Sequence, residues 1–258
     1  MAILDNIKKD WASMKELSFK NKLVFIWDYY KIPVLVALVV FFLIGSFIYE
    51  QSTSKEAVLQ GIFINSFSSS EQTPEHILED FLKAQEVDTQ KYYADCRTNI
   101  YYEAANREEG QNGSSPALSN AEALQLIAAQ SGAGMLDYIV GPHDVILELA
   151  YKGHFTDLSE VLSPEQYKKL QPYFLYLDQD VIDALREADD NWDFDADIPI
   201  PTSNAAEDLN TPVPFMIDLS QCEALVAAYG SNPDTLCIGI VKNTPNRDMV
   251  LLLIDYLL

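Results

Sequence analysis

Residues 187–197 read EADDNWDFDAD, and oxygen-bearing side chains fall on alternate positions: Asp189, Asn191, Asp193, Asp195 and Asp197. Calcium loops use that spacing, because a hard cation gathers several carboxylate and amide oxygens from one short segment. The EF-hand pattern is not completed. Phe194 stands where the sharp turn needs Gly, and Ile200 stands where the bidentate Glu belongs. Two readings stay open: a Ca²⁺ site on Asp189, Asn191, Asp193 and Asp195, or a solvated acidic loop.

Aromatic residues surround the same stretch. Trp192 and Phe194, with Tyr173, Phe174 and Tyr176 nearby in sequence, offer flat faces on which a sugar ring or a peptide could stack. Aromatics at such spacing also pack helices onto sheets. His143 follows Gly141-Pro142, where its ring either touches a ligand or caps the turn. With Tyr173, Tyr176, Trp192 and Phe194 it makes up the candidate ligand set. His76 and His154 complete the histidines, and none of the three lies in an H-E-x-x-H motif. There is no G-x-S-x-G, P-loop or G-x-G-x-x-G. Asp137, inside an apolar run, could line a cleft or pair with a Lys or Arg. No acid–base dyad is assigned, because carboxylates are so many that pairs arise by chance. The chain is expected to be no enzyme, and Ca²⁺ is the one cofactor considered.

The elements that would position these residues alternate between strand and helix. VLQGIFIN (58–65) is strand-like; Thr73, Pro74 and the face Ile77, Leu78, Phe81 and Leu82 mark a capped helix. Lys91 to Ala104 reads as a strand, and NREEGQNGSSPALSN as a loop. Ser119 with Glu122 makes a capping box ahead of Leu124, Leu126 and Ile127. MLDYIV is a strand that stops at Gly141-Pro142 and feeds a helix carrying Val145, Ile146, Leu149 and Ala150, with Gly153 just past its end. Such a βα junction belongs to an open α/β sheet, where ligands lie beyond the carboxyl ends of the strands. Ser163, Pro164 and Gln166 open another helix, and DQDVIDALREA is one more. A long acidic, Pro-rich loop follows. Then come the strand VPFMIDLS, a helix capped by Ser220 and Glu223, the strand TLCIGIVKN and a closing helix. The predicted order is β-α-β-α-β-α-α-α-loop-β-α-β-α.

Ahead of this domain, Ile32 to Tyr49 contains no charge, and a bilayer core needs roughly 20 apolar residues of helix. Pro33 is expected in the first turn of the span, where a missing N–H costs little. Trp27, Tyr29, Tyr30 and Tyr49 flank it at headgroup depth. The run exceeds a signal-peptide core and no A-x-A site follows closely, so an uncleaved signal anchor is expected. Lys8, Lys9, Lys15, Lys20, Lys22 and Lys31 precede the span, and only Lys55 follows it closely. The positive-inside rule then puts residues 1–31 in the cytoplasm, 32–50 in the bilayer, 51–57 in a tether and 58–258 in an extracytoplasmic domain. Residues 1–31 either lie along the anionic inner leaflet or extend the anchor helix. From residue 51 onward, 11 Lys and Arg stand against 34 Asp and Glu, a net of −23. That surface repels nucleic acid and anionic polymers; it either favours cationic ligands or divalent metal or, more simply, serves solubility outside the cell. Cys96, Cys222 and Cys237 fit either one disulfide plus a thiol or three buried thiols.

Two stretches carry a family resemblance. GMLDYIVGPHDVILELAYKGHFTDLSEVL, and the ending LCIGIVKNTPNRDMVLLLIDYLL, resemble extracellular solute-binding proteins of the type 2 periplasmic-binding fold. WDYYKIPVLV is similar to the start of small anchored proteins of gram-positive, clostridial type. The resemblance implies a reduced α/β sheet of that fold with flanking helices. It also implies a membrane-anchored extracytoplasmic binding protein for a small ligand. The alternative is a fold that has lost its cleft and serves as an interaction module, docking to an envelope membrane protein or a transporter.

Overall fold

The computed structural model describes residues 18–53, 55–66, 73–103, 120–192, 198–201, 203–229 and 235–258. The chain divides into two compact units, residues 1–54 and 55–258.

The first unit contains helix α1 (Phe19–Thr53). Its segment Lys31–Glu50 has a mean hydropathy of 2.7 and none of it is buried. The helix begins well before the apolar run, so Pro33 lies inside it and not in the first turn as expected. Residues 19–31 contain neither Gly nor Pro, so nothing stops the helix short of Pro33. One lost backbone bond is its local cost. The helix also runs on to Thr53, and the first strand opens at Glu56. The expected seven-residue tether is thus mostly secondary structure.

The second unit is a three-layer α/β/α sandwich. Its strands are β1 (Glu56–Ile64), β2 (Tyr92–Ile100), β3 (Tyr138–Pro142), β4 (Phe174–Asp178), β5 (Pro212–Asp218) and β6 (Leu236–Ile240). They form one mixed sheet in the order β2-β1-β3-β6-β5-β4. The β1 strand pairs parallel with β2 and β3, whereas β6 runs antiparallel to β3 and β5, and β4 antiparallel to β5. β3 and β6 are buried along almost their whole length, as inner strands with both faces covered must be. One face carries α2 (Pro74–Ala84), α6 (Pro164–Leu170), α8 (Glu223–Ala228) and α9 (Arg247–Leu257), through Leu78, Phe81, Leu170, Leu225 and Ile254. The other carries α3 (Asn120–Gly132), α4 (His143–Tyr151) and α7 (Gln179–Asp190), through Ile127, Val145, Leu149 and Ile182. Short α5 (Leu158–Val161) links α4 to α6.

Two aromatic rings lie flat on the inner strands and dictate glycine beneath them. A Cβ at Gly61 would meet the Tyr138 ring at 2.1 Å, and one at Gly239 the Phe155 ring at 2.6 Å. No side chain fits there without moving a buried ring.

Local signals hold where they rest on caps. Thr73 accepts from the His76 amide, and Ser163 with Gln166 forms a complete capping box. At the end of α4, Gly153 takes φ 78°. Its N–H reaches Ala150 O while the His154 N–H reaches Leu149 O, a Schellman closure. Ser220 does not cap α8: its hydroxyl accepts from the Leu236 N–H, and Cys222 holds the N-cap position without a side-chain bond. Satisfying the amide of an incoming strand outcompetes a cap on a six-residue helix. Strand β4 is absent from the sequence-derived order, because its aromatic residues suggest a binding platform as readily as a pleated edge. Ser119 with the rest of the predicted 106–120 loop up to it, and Asp193, Phe194, Asp195 and Asp197, lie outside the described residues.

Candidate functional site

The strand directions give the sheet two structurally distinct ends. At one, β3 finishes in Gly141-Pro142 and α4 begins; at the other, β3 starts, β4 and β6 finish, and α4 closes at Gly153.

The first end is bonded shut. The His143 N–H donates to Thr235 O, and its Nε2 meets Asn204 Oδ1 at 2.5 Å. Asn204 is itself locked to the edge strand: its amide donates to Tyr176 O, and its own carbonyl accepts from the Tyr176 N–H. His143 therefore pins a loop residue that extends the ladder of β4. Tyr173 and Tyr176 are half-buried against the core, and Phe174 stacks edge-on with Tyr167 and Tyr176. Of the sequence-derived ligand set, His143 and Tyr176 are thus linked through Asn204, and Tyr173 is packed against the same sheet face as Tyr176. Trp192 is 78% exposed, with φ 57° just past α7.

The other end is open. A cleft of about 550 Å³ lies there among the end of α4, the Gly153 turn, the start of α5, one face of α7, Phe215 of β5 and Lys242 after β6. That volume lies within the range of small-molecule pockets, roughly 300–1,000 Å³. The α7 wall follows from helical spacing. Gln179, Ile182, Arg186 and Asp189 recur every three or four residues and share one face. Helix α7 is fixed at its start by Asp178, 3% exposed, whose carboxylate accepts from the amides of Asp180, Asn210 and Thr211. The Tyr151 hydroxyl accepts from the Asp178 N–H at 3.3 Å, joining the α4 wall to the α7 wall.

Charge gathers at this cleft. The Lys152 ammonium contacts Glu148 at 2.6 Å and the Tyr102 hydroxyl at 2.9 Å. Burial acts to lower its pKa, but the bonds to Glu148 and Tyr102 outweigh it and leave the group above its ordinary value. Lys242 Nζ lies over Gly153, 3.6 Å from where a Cβ would stand. His154, half-buried behind these lysines, is held below its ordinary value by burial first and then by the Lys152 and Lys242 charges. That direction favours the neutral imidazole.

Asp137 immediately precedes β3 at this same end and is 1% exposed. It was expected either to line a cleft or to pair with a cation, and it does neither. Its carboxylate accepts from the Gln60 N–H at 2.7 Å, the Thr244 hydroxyl at 2.5 Å and the Asn246 amide at 3.2 Å. A buried carboxylate with several donors needs no cation to stay satisfied. Asp137 therefore ties β1, β3 and the 241–246 loop together.

Of the calcium candidates, Asp189 lines the cleft and Asn191 is the C-cap of α7. No group of three potential metal ligands converges among the described residues. The three cysteines are free thiols. Burial, then the Glu75 and Asp95 charges, push Cys96 up to about 12, and burial raises Cys237 strongly as well. Both are poor nucleophiles near neutral pH.

No family model and no curated protein matches the chain. Among solved structures, it is similar to an ABC substrate-binding protein from Listeria monocytogenes in complex with cycloalternan. The identity is 12% and the TM-score 0.24, over 51% of this chain and 33% of that one. The chain thus spans about a third of that protein's length, and the likeness is coarse.

Proposed function

We propose that this chain is a bilayer-anchored binding protein whose second unit takes a small ligand in the cleft between Gly153, α7 and Lys242. The lining of that cleft carries the reading. An apolar wall of Ile182, Leu185 and Phe215 meets convergent polar groups in a space of ligand size, the combination that small-molecule sites share. The anchor rests on a 20-residue apolar segment with no buried residue. The excess of Lys before that segment supports an extracytoplasmic second unit.

Full-length protein in lipid nanodiscs, melted in the presence of sugars, amino acids, short peptides and divalent cations, tests the binding. One class should raise the melting temperature, and Leu185→Trp, which fills the cleft, should abolish that rise. If no class stabilises the protein, the binding reading fails. For the anchor, protease added to intact spheroplasts should remove a tag fused after Leu258; protection of the tag would reverse the orientation.

A further inference from the structure

The charges of the cleft specify more than size. Lys152, Arg186 and Lys242 line it, three of only eleven cations after residue 50, together with Asp157, Glu160 and Asp189. These opposite charges do not neutralise one another. Lys152 pairs with Glu148 and Arg186 with Asp183 at 3.4 Å, both partners lying outside the lining. Among the described residues no ion pair joins a lining cation to a lining carboxylate, and Lys242 makes none at all.

The net charge of −23 after residue 50 bears on what can enter. A simple anion approaches against the field of the whole domain. A simple cation is drawn in but meets three like charges in the cleft. A molecule bearing both charges has no net repulsion to overcome and can engage each set at close range.

We propose that the cleft binds a small zwitterion with a free ammonium, a free carboxylate and an apolar side chain. Lys242 takes the carboxylate, with Arg186 as the second cation on the α7 wall. The ammonium is held by Asp157, Glu160 and Asp189, and the side chain lies on Ile182, Leu185 and Phe215. Two sources share this chemistry, a free amino acid and a short peptide. The assignment rests on the cleft being the ligand site.

Isothermal titration of full-length protein in nanodiscs with leucine, Leu-Leu, N-acetyl-Leu-Leu, Leu-Leu amide and maltotriose tests it. Leucine or Leu-Leu should bind, and whichever binds identifies the source. Blocking either end of Leu-Leu should weaken binding at least tenfold when the dipeptide is the ligand. For leucine, N-acetyl-leucine and leucinamide serve the same purpose. Lys242→Met should also weaken binding at least tenfold with an unchanged melting temperature, since the lysine is exposed and makes no ion pair. Equal affinity for blocked and free forms, binding indifferent to Lys242→Met, or binding of maltotriose alone would overturn the zwitterion and leave the ligand cleft standing. Silence with every probe here and in the melting panel would overturn both.

Discussion

Helix α4 is nine residues long, and its two ends are built to opposite purposes. At its start, backbone and side-chain bonds hold His143: Thr235 O accepts from its N–H, Asn204 Oδ1 meets its ring, and the Asn204 side-chain amide donates to Tyr176 O. At its finish, Gly153 turns the chain away and leaves space that charged side chains surround without filling. A strand that stops abruptly and feeds a helix is conspicuous in sequence because packing demands it. The open end has no such mark, since its residues arrive from four separate parts of the chain.

If this contrast is right, the ends should respond differently to mutation. The largest effect belongs to Asp137→Ala. It strands the Gln60 N–H, the Thr244 hydroxyl and the Asn246 amide, and should cost about 3 kcal/mol or more by urea unfolding. A loss below about 1 kcal/mol would mean that the carboxylate does not hold the open end together. Gly153→Ala comes next, at about 1–2 kcal/mol, because φ 78° is strained for any residue with a Cβ. His143→Ala should cost only about 1 kcal/mol, the worth of one net hydrogen bond. It should leave ligand binding intact; lost binding would return the site to the closed end. The smallest effect is a pH dependence. Burial and the two lysines hold His154 below its ordinary value, so the folded state favours the neutral ring. Its contribution is fully present above about 6.5, the unfolded value, and is lost as pH falls through the lowered folded value. Melting temperatures measured from about pH 7.5 to about pH 5 should therefore fall further for the native protein than for His154→Gln. Parallel curves would remove His154 from the account.

What the sequence discloses follows the same division. Thr73, Ser163 and Gly153 announce helix ends through local chemistry, and each performs the role its type suggests. The alternation of strands and helices points to a sheet with helices on both faces. Strand β4 escapes because an edge strand of alternating aromatics resembles a stacking surface. Ser220 misleads because a cap motif cannot reveal that Leu236 will need its hydroxyl. The cleft could have been half found: the spacing of Gln179, Ile182, Arg186 and Asp189 marks one face of α7. Lys242, 56 residues beyond Arg186, joins that face only after β6 has taken its place in the sheet.

That place has a bearing on how the molecule is made. β6 lies between β3 and β5 and comes last in chain order among the six described strands. Until it inserts, β1 to β3 and β4 to β5 are two separate ribbons with open inner edges, exposed to mispairing. The sheet of the second unit is thus completed only when the sixth strand in chain order arrives. Without β6 the two ribbons would lose the strand that pairs them and be held only by contacts such as that of Tyr151 with Asp178.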